Sequence, residues 1–225
     1  MTRGKFITFE GGEGTGKSTQ AAMLALRLES CGLGAQLTRE PGGSPGAEII
    51  RHVLLSGAAK PLGADVEAML FAAARDDHVQ CTILPALRSG KWVVCDRFAD
   101  STRVYQGILG QVDQKLINVL ERVSVGELAP DLTVILDLPV QVGLERARLR
   151  RGDAEADRFE GERAAFHEKL RDAYLAIAAR DPDRCVVIDA AATKEIVANA
   201  IWQVVQSRLH PPAVRRLDEA ATAKA

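Results

Sequence analysis

The sequence has almost no net charge and no long apolar run. Its 29 Lys and Arg residues nearly balance 30 Asp and Glu residues, which gives a formal net charge of -1. A large nucleic-acid or membrane surface needs an excess of positive charge, so this balance argues against both kinds of partner, although a local basic cluster could still bind a compact anion. No apolar stretch approaches the roughly 20 residues of a membrane-spanning helix.

Cysteine is scarce, which limits metal and disulfide chemistry. The four cysteines, Cys31, Cys81, Cys95 and Cys185, lack the spacing typical of a metal site, and the last two lie in or beside strand-like runs. We expect buried free thiols in a reducing compartment. The N-terminus enters a strand-like run without a signal-peptide pattern, so the sequence predicts a cytoplasmic protein.

Internal repeats and an interdomain linker are also missing. With 225 residues, 47% of them hydrophobic, the chain can bury one substantial core, and a single domain over residues 1–209 is predicted. Residues 210–225 combine two prolines, mixed charge and many alanines. This composition predicts a mobile tail.

Short apolar runs alternate with helical patterns along the chain. The predicted strands cover residues 6–9, 35–38, 92–95, 132–138 and 185–188. The predicted helices lie near residues 18–30, 46–56, 64–88, 113–126, 140–150, 162–180 and 193–208. Several strands are apolar on both alternations, as expected for central parallel strands covered by helices on both faces. The pattern predicts an α/β fold with a five-stranded parallel sheet and ligand sites at the carboxyl ends of the strands.

A glycine-rich loop follows the first predicted strand. Residues 11–18 read Gly-Gly-Glu-Gly-Thr-Gly-Lys-Ser, the phosphate-binding pattern of P-loop proteins, with a strand before it and a helix after it. Backbone N–H groups and the helix N-terminus would bind phosphates, a lysine would neutralise them, and a serine would reach Mg²⁺. The alternative is a glycine-rich turn with an incidental lysine, but such a turn would not need a strand before it and a helix after it. The predicted triphosphate-binding residues are Gly11, Gly12, Glu13, Gly14, Thr15, Gly16, Lys17, Ser18 and Thr19.

Two further features lie where a second ligand would bind. Asp96 and Arg97 follow the third predicted strand, where a carboxylate can hold Mg²⁺ and an arginine can bind phosphate; the alternative is a surface ion pair. Phe71 and Arg75 are four residues apart and share one helix face, so they could stack on and hydrogen-bond a nucleobase. The alternative there is a core phenylalanine beside a surface arginine.

Five arginines surround a polar, helix-breaking segment. They are Arg146, Arg148, Arg150, Arg151 and Arg158. Such a cluster is typical of a lid, here predicted over about residues 150–161, that closes over phosphates and excludes water. A solvated charged hairpin is the alternative.

These motifs together resemble those of bacterial thymidylate kinases. Besides the glycine loop and the Phe71–Arg75 pair, the resemblance includes residues 38–43, Thr-Arg-Glu-Pro-Gly-Gly, and residues 96–107, Asp-Arg-Phe-Ala-Asp-Ser-Thr-Arg-Val-Tyr-Gln-Gly. Pro130-Asp131-Leu132-Thr133 and the arginine-rich lid fit as well. The resemblance runs from Lys5 to about Leu209. It implies a three-layer P-loop fold, commonly a homodimer, that transfers the γ-phosphoryl group of ATP to dTMP with Mg²⁺.

The resemblance also implies roles in binding dTMP. Phe71 would stack on thymine, Arg75 would hydrogen-bond a thymine carbonyl, and Thr102 and Gln106 would meet the remaining base edge. Tyr105 would pack against the sugar. The other expected substrate-binding residues are Glu13 at the 3′-hydroxyl, Arg51 and Arg97 at the monophosphate, and Glu40 and Ser101.

The catalytic set follows from the same resemblance. Some members of that family carry an arginine inside the glycine loop. This sequence has Gly14 at that position, so it resembles the type in which an arginine of the lid acts instead. Lys17, Arg97 and one of Arg150, Arg151 or Arg158 would stabilise the transferring phosphoryl group, with Ser18 and Asp96 at Mg²⁺. Counting along the sequence does not decide which lid arginine acts.

Three questions stay open in the sequence. The acceptor could be another nucleoside monophosphate, and a nucleotide-dependent switch is a different class of function, although no guanine-selective Asn-Lys-x-Asp element is present. Residues 189–193, after the last predicted strand, are a candidate for adenine contacts and equally an ordinary strand-to-helix loop.

Overall fold

The computed structural model describes residues 3–152, residue 159 and residues 162–211. Arg158, most of the predicted lid and residues 212–225 of the predicted tail lie outside these residues. Within them, no helix is both long and apolar enough to cross a membrane.

A five-stranded parallel sheet forms the centre of the molecule, as predicted. The strands are β1 (Phe6–Gly11), β2 (Ala35–Arg39), β3 (Trp92–Asp96), β4 (Leu132–Asp137) and β5 (Cys185–Asp189). Their order is β2-β3-β1-β4-β5, so β1 lies in the middle and pairs with β3 and β4. Every residue of β1 is buried, which explains why its sequence is apolar on both alternations. All five predicted strands are present.

Nine α-helical segments connect the strands in the described part of the chain. They are α1 (Lys17–Ser30), α2 (Pro45–Leu55), α3 (Ala64–His78), α4 (Leu84–Arg88), α5 (Ala99–Thr102), α6 (Gln114–Val125), α7 (Val140–Arg151), α8 (Ala164–Arg180) and α9 (Lys194–Leu209). Gly32, which follows α1, has a φ of 78° and donates its N–H to the carbonyl of Glu29.

Two helical predictions need correction. The predicted helix over residues 64–88 is divided, because a π-helical turn, Val79–Ile83, separates α3 from α4. Residues 99–109 were not predicted to be helical, yet α5 continues into a π-helix, Arg103–Leu109. Val104, Tyr105 and Gln106 are consecutive and all buried, so the segment lacks the 3.6-residue apolar period that identifies an α-helix from sequence.

The apolar core lies on both faces of the sheet. On one face, side chains from β1, β3 and β4 pack against α1 and α9 in a cluster that includes Phe9, Leu28 and Trp202. The opposite face holds clusters around Phe6 and Phe98 and around Ile135 and Tyr174. All four cysteines are free; Cys31, Cys95 and Cys185 are buried as expected, whereas Cys81 is exposed. Since the strands are parallel, the carboxyl ends of β1, β2 and β3 meet at one edge.

Candidate active site

The glycine loop connects β1 to α1 at this edge. Gly16 caps α1 with a φ of 90°, a left-handed conformation that favours glycine. Lys17 is 7% exposed, and its Nζ donates to the carbonyl oxygen of Gly12 at 2.6 Å. Burial and the neighbouring Arg97 lower the pKa of Lys17 to about 8, against the opposing effect of Glu13 and other carboxylates. The loop therefore holds a desolvated cation beside its backbone donors.

The loop also packs closely against α7. A Cβ atom on Gly14 would lie 1.9 Å from the carbonyl oxygen of Gly143, and one on Gly143 would lie 2.5 Å from the carbonyl oxygen of Glu13. Gly14 has a φ of +69°. An arginine at position 14 would therefore require α7 to move. The two glycines place the helix that carries Arg150 and Arg151 directly behind the phosphate loop.

Ser18 and Asp96 come together at the start of α1 and the end of β3. The hydroxyl of Ser18 donates to Oδ2 of Asp96 at 2.5 Å. The other carboxylate oxygen, Oδ1, is buried and has no hydrogen-bond partner among the residues described. A buried carboxylate oxygen without a donor is suited to a cation or its water ligand. These two residues therefore fit Mg²⁺.

Arg97 links the glycine loop to the rest of the edge. Its φ of +70° is unusual for a residue with a side chain. Its guanidinium donates to Glu13 at 2.5 Å and lies 5.3 Å from the centre of the Tyr105 ring, and the Tyr105 hydroxyl also donates to Glu13. Burial favours the neutral form of Glu13, but Arg97, Lys17 and Arg150 outweigh it and hold its pKa at about 2. Glu13 is thus a carboxylate at all physiological pH values.

Glu10 stabilises the backbone turn that carries Arg97, although no sequence motif singled it out. It is fully buried in β1 and accepts hydrogen bonds from the backbone N–H of Phe98, the hydroxyl of Ser101 and the hydroxyl of Tyr174. Burial and the nearby Asp100 raise its pKa to about 7. The Ser101 and Tyr174 oxygens also lie 3.4 and 3.3 Å from Nη1 of Arg97. This network fixes the backbone from which Arg97 extends.

A cleft of about 300 Å³ opens beside the glycine loop. The predicted substrate-binding residues all line it: Glu13, Glu40, Arg51, Phe71, Arg75, Arg97, Ser101, Thr102, Tyr105 and Gln106. The predicted phosphate-side residues Gly14, Gly16, Lys17, Ser18, Thr19 and Asp96 line it as well. Gly11, Gly12 and Thr15 lie on the other side of the loop, where they line a small separate cavity with Glu13. The fold therefore gathers residues from five segments of the sequence into one site.

The inner end of the cleft carries the residues expected to recognise a base. Nη2 of Arg75 donates to Thr102 Oγ1 at 3.0 Å and to the Phe98 carbonyl oxygen at 3.2 Å. Nε of Arg75 donates to Glu40 at 2.8 Å. Arg75 is 3% exposed, so the alternative of a surface arginine is wrong for this residue.

The described arginines of the predicted lid cluster have different surroundings. Arg150 lines the cleft, whereas Arg148 forms an exposed ion pair with Glu145. Arg146 donates to the carbonyl oxygens of Ala190 and Ala191, inside the loop considered for adenine contacts. Arg151 ends α7 without lining the cleft.

Phe159 is a cleft residue that the sequence did not indicate. Its ring lies 5.0 Å from that of Tyr105 in an edge arrangement and 6.3 Å from that of Phe71. An isolated aromatic residue within the charged segment predicted as the lid was the available signal. Gly143, Glu10 and Tyr174 gave no comparable signal, because a buried polar residue in a strand and a glycine in a helix acquire meaning only from their tertiary neighbours.

A phosphate-binding loop between β1 and α1, beside an open cleft of about 300 Å³, defines a P-loop nucleotide-binding protein. A family model described as thymidylate kinase matches residues 9–201. The chain belongs to the thymidylate kinase family. This match confirms the resemblance noted in the motifs, the kinase class, and the predicted phosphorylation of dTMP by ATP.

Individual relatives support the same assignment. A thymidylate kinase from Nitrobacter winogradskyi is 66% identical over 206 residues, which cover 92% of this chain and 90% of the relative. One from Nitrobacter hamburgensis is 63% identical over 209 residues, covering 93% and 91%. The crystal structure of thymidylate kinase from Ehrlichia chaffeensis superposes with a TM-score of 0.73 at 32% identity, covering 91% of this chain and all of that one. The α/β fold is thereby confirmed.

Proposed function

We propose that this chain transfers the γ-phosphoryl group of ATP to dTMP in the cleft described above, with the glycine loop as donor site and the inner cleft as acceptor site. One observation carries this arrangement. Glu13 of the loop is held by Arg97 and Tyr105 of the cleft wall, so the donor and acceptor sites share a wall. Two phosphates that face each other across the same open cleft would be positioned for direct transfer.

On the donor side, the charge of Lys17 and the backbone N–H groups of the loop bind the β- and γ-phosphates. Ser18 and Asp96 hold Mg²⁺. When bound, that ion neutralises phosphate charge. The buried Oδ1 of Asp96, for which the described part of the chain offers no hydrogen-bond partner, supports this placement. Catalysis requires no strong general base, because the acceptor is itself an anionic phosphate.

On the acceptor side, Phe71 and Arg75 face the base, and Thr102 and Gln106 complete its binding. Tyr105 and Glu13 contact the sugar. Arg97 and Arg51 bind the monophosphate, and Arg97 stabilises the group in transfer. Arg51 already extends toward the loop after β2, where its Nη1 donates to the Pro41 carbonyl oxygen at 2.5 Å.

Arg150 is our first candidate for the lid arginine that reaches the transferring phosphoryl group. It lines the cleft and lowers the pKa of Glu13 through its charge. The contact between Gly14 and Gly143 supports an arginine from α7 rather than from the glycine loop. Arg151 and Arg158 are the alternatives.

We further propose that the protein works in the cytoplasm as a homodimer. Its four free cysteines are compatible with a reducing compartment. Apolar side chains are exposed on α2, α3 and α6, of which α3 packs against each of the other two: Ile49, Met69, Val119 and Val123. An apolar surface spread over neighbouring helices is typical of a protein interface.

A coupled assay of ADP formation tests the proposed reaction. ATP and Mg²⁺ are supplied with dTMP, dUMP, UMP, CMP or GMP, and with no acceptor. We expect dTMP to give the highest kcat/KM and ADP formation to stop without an acceptor. Preference for UMP would contradict the role of Tyr105, and acceptor-independent hydrolysis would favour a switch. Lys17→Ala should lower kcat by a factor of about 100 or more, whereas Lys115→Ala, on an exposed position of α6, should not.

A further inference from the structure

His78 is a buried histidine that none of the expected roles uses. It is the last residue of α3 and has 0% exposure. Its Nδ1 lies 3.1 Å from Oε1 of Glu40, and its Nε2 lies 2.7 Å from Oγ1 of Thr38. Because a carboxylate oxygen only accepts hydrogen bonds, Nδ1 is the donor in the first contact. His78 thus connects α3 to the loop that follows β2.

Glu40 is engaged on both oxygens. Oε1 accepts from His78, and Oε2 accepts from Nε of Arg75 at 2.8 Å. Arg75 lies one helical turn before His78 on α3, so one helix grips the carboxylate at two points. Glu40 is 6% exposed, and a buried carboxylate requires donors for both oxygens. If His78 were absent, Oε1 would lose its donor, and rotation of the carboxylate would release Arg75.

The chain provides the space for this contact at Gly43. A Cβ atom there would lie 2.5 Å from Nε2 of His78 and 2.4 Å from Oγ1 of Thr38. Gly43 also has a φ of +88°, which a residue with a side chain rarely adopts. The turn after β2 is therefore built around the imidazole.

We propose that His78 is a positioning residue for acceptor recognition: through Glu40 it fixes the Arg75 guanidinium at the inner end of the cleft. This inference rests on the proposed placement of the acceptor base against Arg75. His78 itself does not touch the ligand. Its effect is on the orientation of Arg75, whose Nη2 is already directed to Thr102 and the Phe98 carbonyl. If His78 had only a structural role in the core, its replacement would change the stability of the protein and not the KM for dTMP.

Two amide substitutions separate the two contacts of the imidazole. In His78→Asn the side-chain nitrogen lies nearest to the position of Nδ1, so the hydrogen bond to Glu40 can be kept. In His78→Gln it lies nearest to the position of Nε2, so the contact with Thr38 can be kept and that with Glu40 is lost. Both variants introduce the same amide group, and they differ only in which hydrogen bond of the imidazole is retained. Both variants are assayed with dTMP and ATP varied separately, and their thermal stabilities are measured alongside.

We expect His78→Gln to raise the KM for dTMP about tenfold, the value of one hydrogen bond to a charged group, with little change in the KM for ATP. His78→Asn should stay within about threefold of the wild type. Glu40→Gln should raise the KM for dTMP as well, and adding His78→Gln to it should have little further effect, because both act on Arg75 through one carboxylate.

Equal KM values for dTMP in the two amide variants would overturn the proposal, as would changes that follow thermal stability alone. If neither variant folds, Thr38→Val and Glu40→Gln provide the comparison: only the second should raise the KM for dTMP. Failure of the proposed function is recognised separately, because the wild-type protein would then show no dTMP-dependent formation of ADP.

Discussion

At the scale of single residues, the site depends on charges held out of water. Lys17, Glu13 and Arg97 lie within one largely buried cluster. Lys17 and Glu13 shift each other's pKa, and Arg97 lowers the pKa of both. A buried lysine loses its proton more readily than an exposed one, because desolvation disfavours the charged form. The pKa of Lys17, about 8 in the absence of nucleotide, therefore lies close to physiological pH.

A pH dependence follows for the unliganded enzyme. As the pH rises through about 8, Lys17 becomes neutral and loses its attraction for the triphosphate. The profile of kcat/KM for ATP, which reports ionisations of the free enzyme, should therefore fall above about pH 8. Glu13 raises the pKa of Lys17, so Glu13→Gln should move this fall to lower pH. A profile that stays flat to pH 10 would contradict the assignment.

Residues of the candidate site could be predicted from the sequence only where a motif names them. Lys17, Ser18, Asp96 and Arg97 occupy positions that phosphate and metal chemistry dictate, and the structure gathers them at one sheet edge. Glu10 and His78 have no such motif. Their importance comes from hydrogen bonds to residues 88 and 38 positions away, respectively, which only the folded chain brings into contact.

At the scale of elements, the strands were predictable and part of the helical layer was not. A central parallel strand is buried on both faces, so a short continuous apolar run identifies it. The π-helical turns at Val79–Ile83 and Arg103–Leu109 shift the helical phase, and this removes the periodic signal. The second turn carries Tyr105 and Gln106 to the cleft, so the irregular helix coincides with a segment that lines the candidate site.

The position of α7 behind the glycine loop is a second element-scale feature. Gly143→Ala places a Cβ atom 2.5 Å from the Glu13 carbonyl oxygen, and ordinary contact would require a shift of roughly 1 Å. Misplacement of that size in a catalytic site can cost about 100-fold in rate. We expect kcat to fall accordingly, because both the loop and Arg150 are displaced.

Gly107→Ala is the matched control for this substitution. Gly107 is also helical, and its Cβ atom would lie 3.6 Å from the Ile117 side chain, an ordinary contact. Its kcat should remain near that of the wild type. Similar kcat values in the two variants, with both folded as judged by circular dichroism, would show that close approach of α7 is not needed.

At the scale of the whole molecule, the apolar surface and the acceptor cleft share helices. Arg51 lies on α2, and Phe71 and Arg75 lie on α3; the same helices expose Ile49 and Met69 on their outer side. A partner subunit packed on that surface would restrain the helices that carry the proposed acceptor-binding residues. Oligomeric state and acceptor affinity should therefore be linked.

Val123→Asp tests this link, because Val123 on α6 is 73% exposed in the single chain and its replacement leaves the core unchanged. In a symmetric dimer the new carboxylate would be desolvated or would face its own copy, which costs several kcal/mol. Sedimentation velocity should show dimer dissociation constants raised about 100-fold or more. Leu26→Asp, at a 66% exposed position on α1, should leave the dimer intact.

The dissociated variant should show a higher KM for dTMP with a nearly unchanged KM for ATP. The reason is that α2 and α3 carry residues proposed to bind the acceptor, whereas the glycine loop follows the central strand β1. A wild-type protein that sediments as a monomer at all concentrations would rule out the interface.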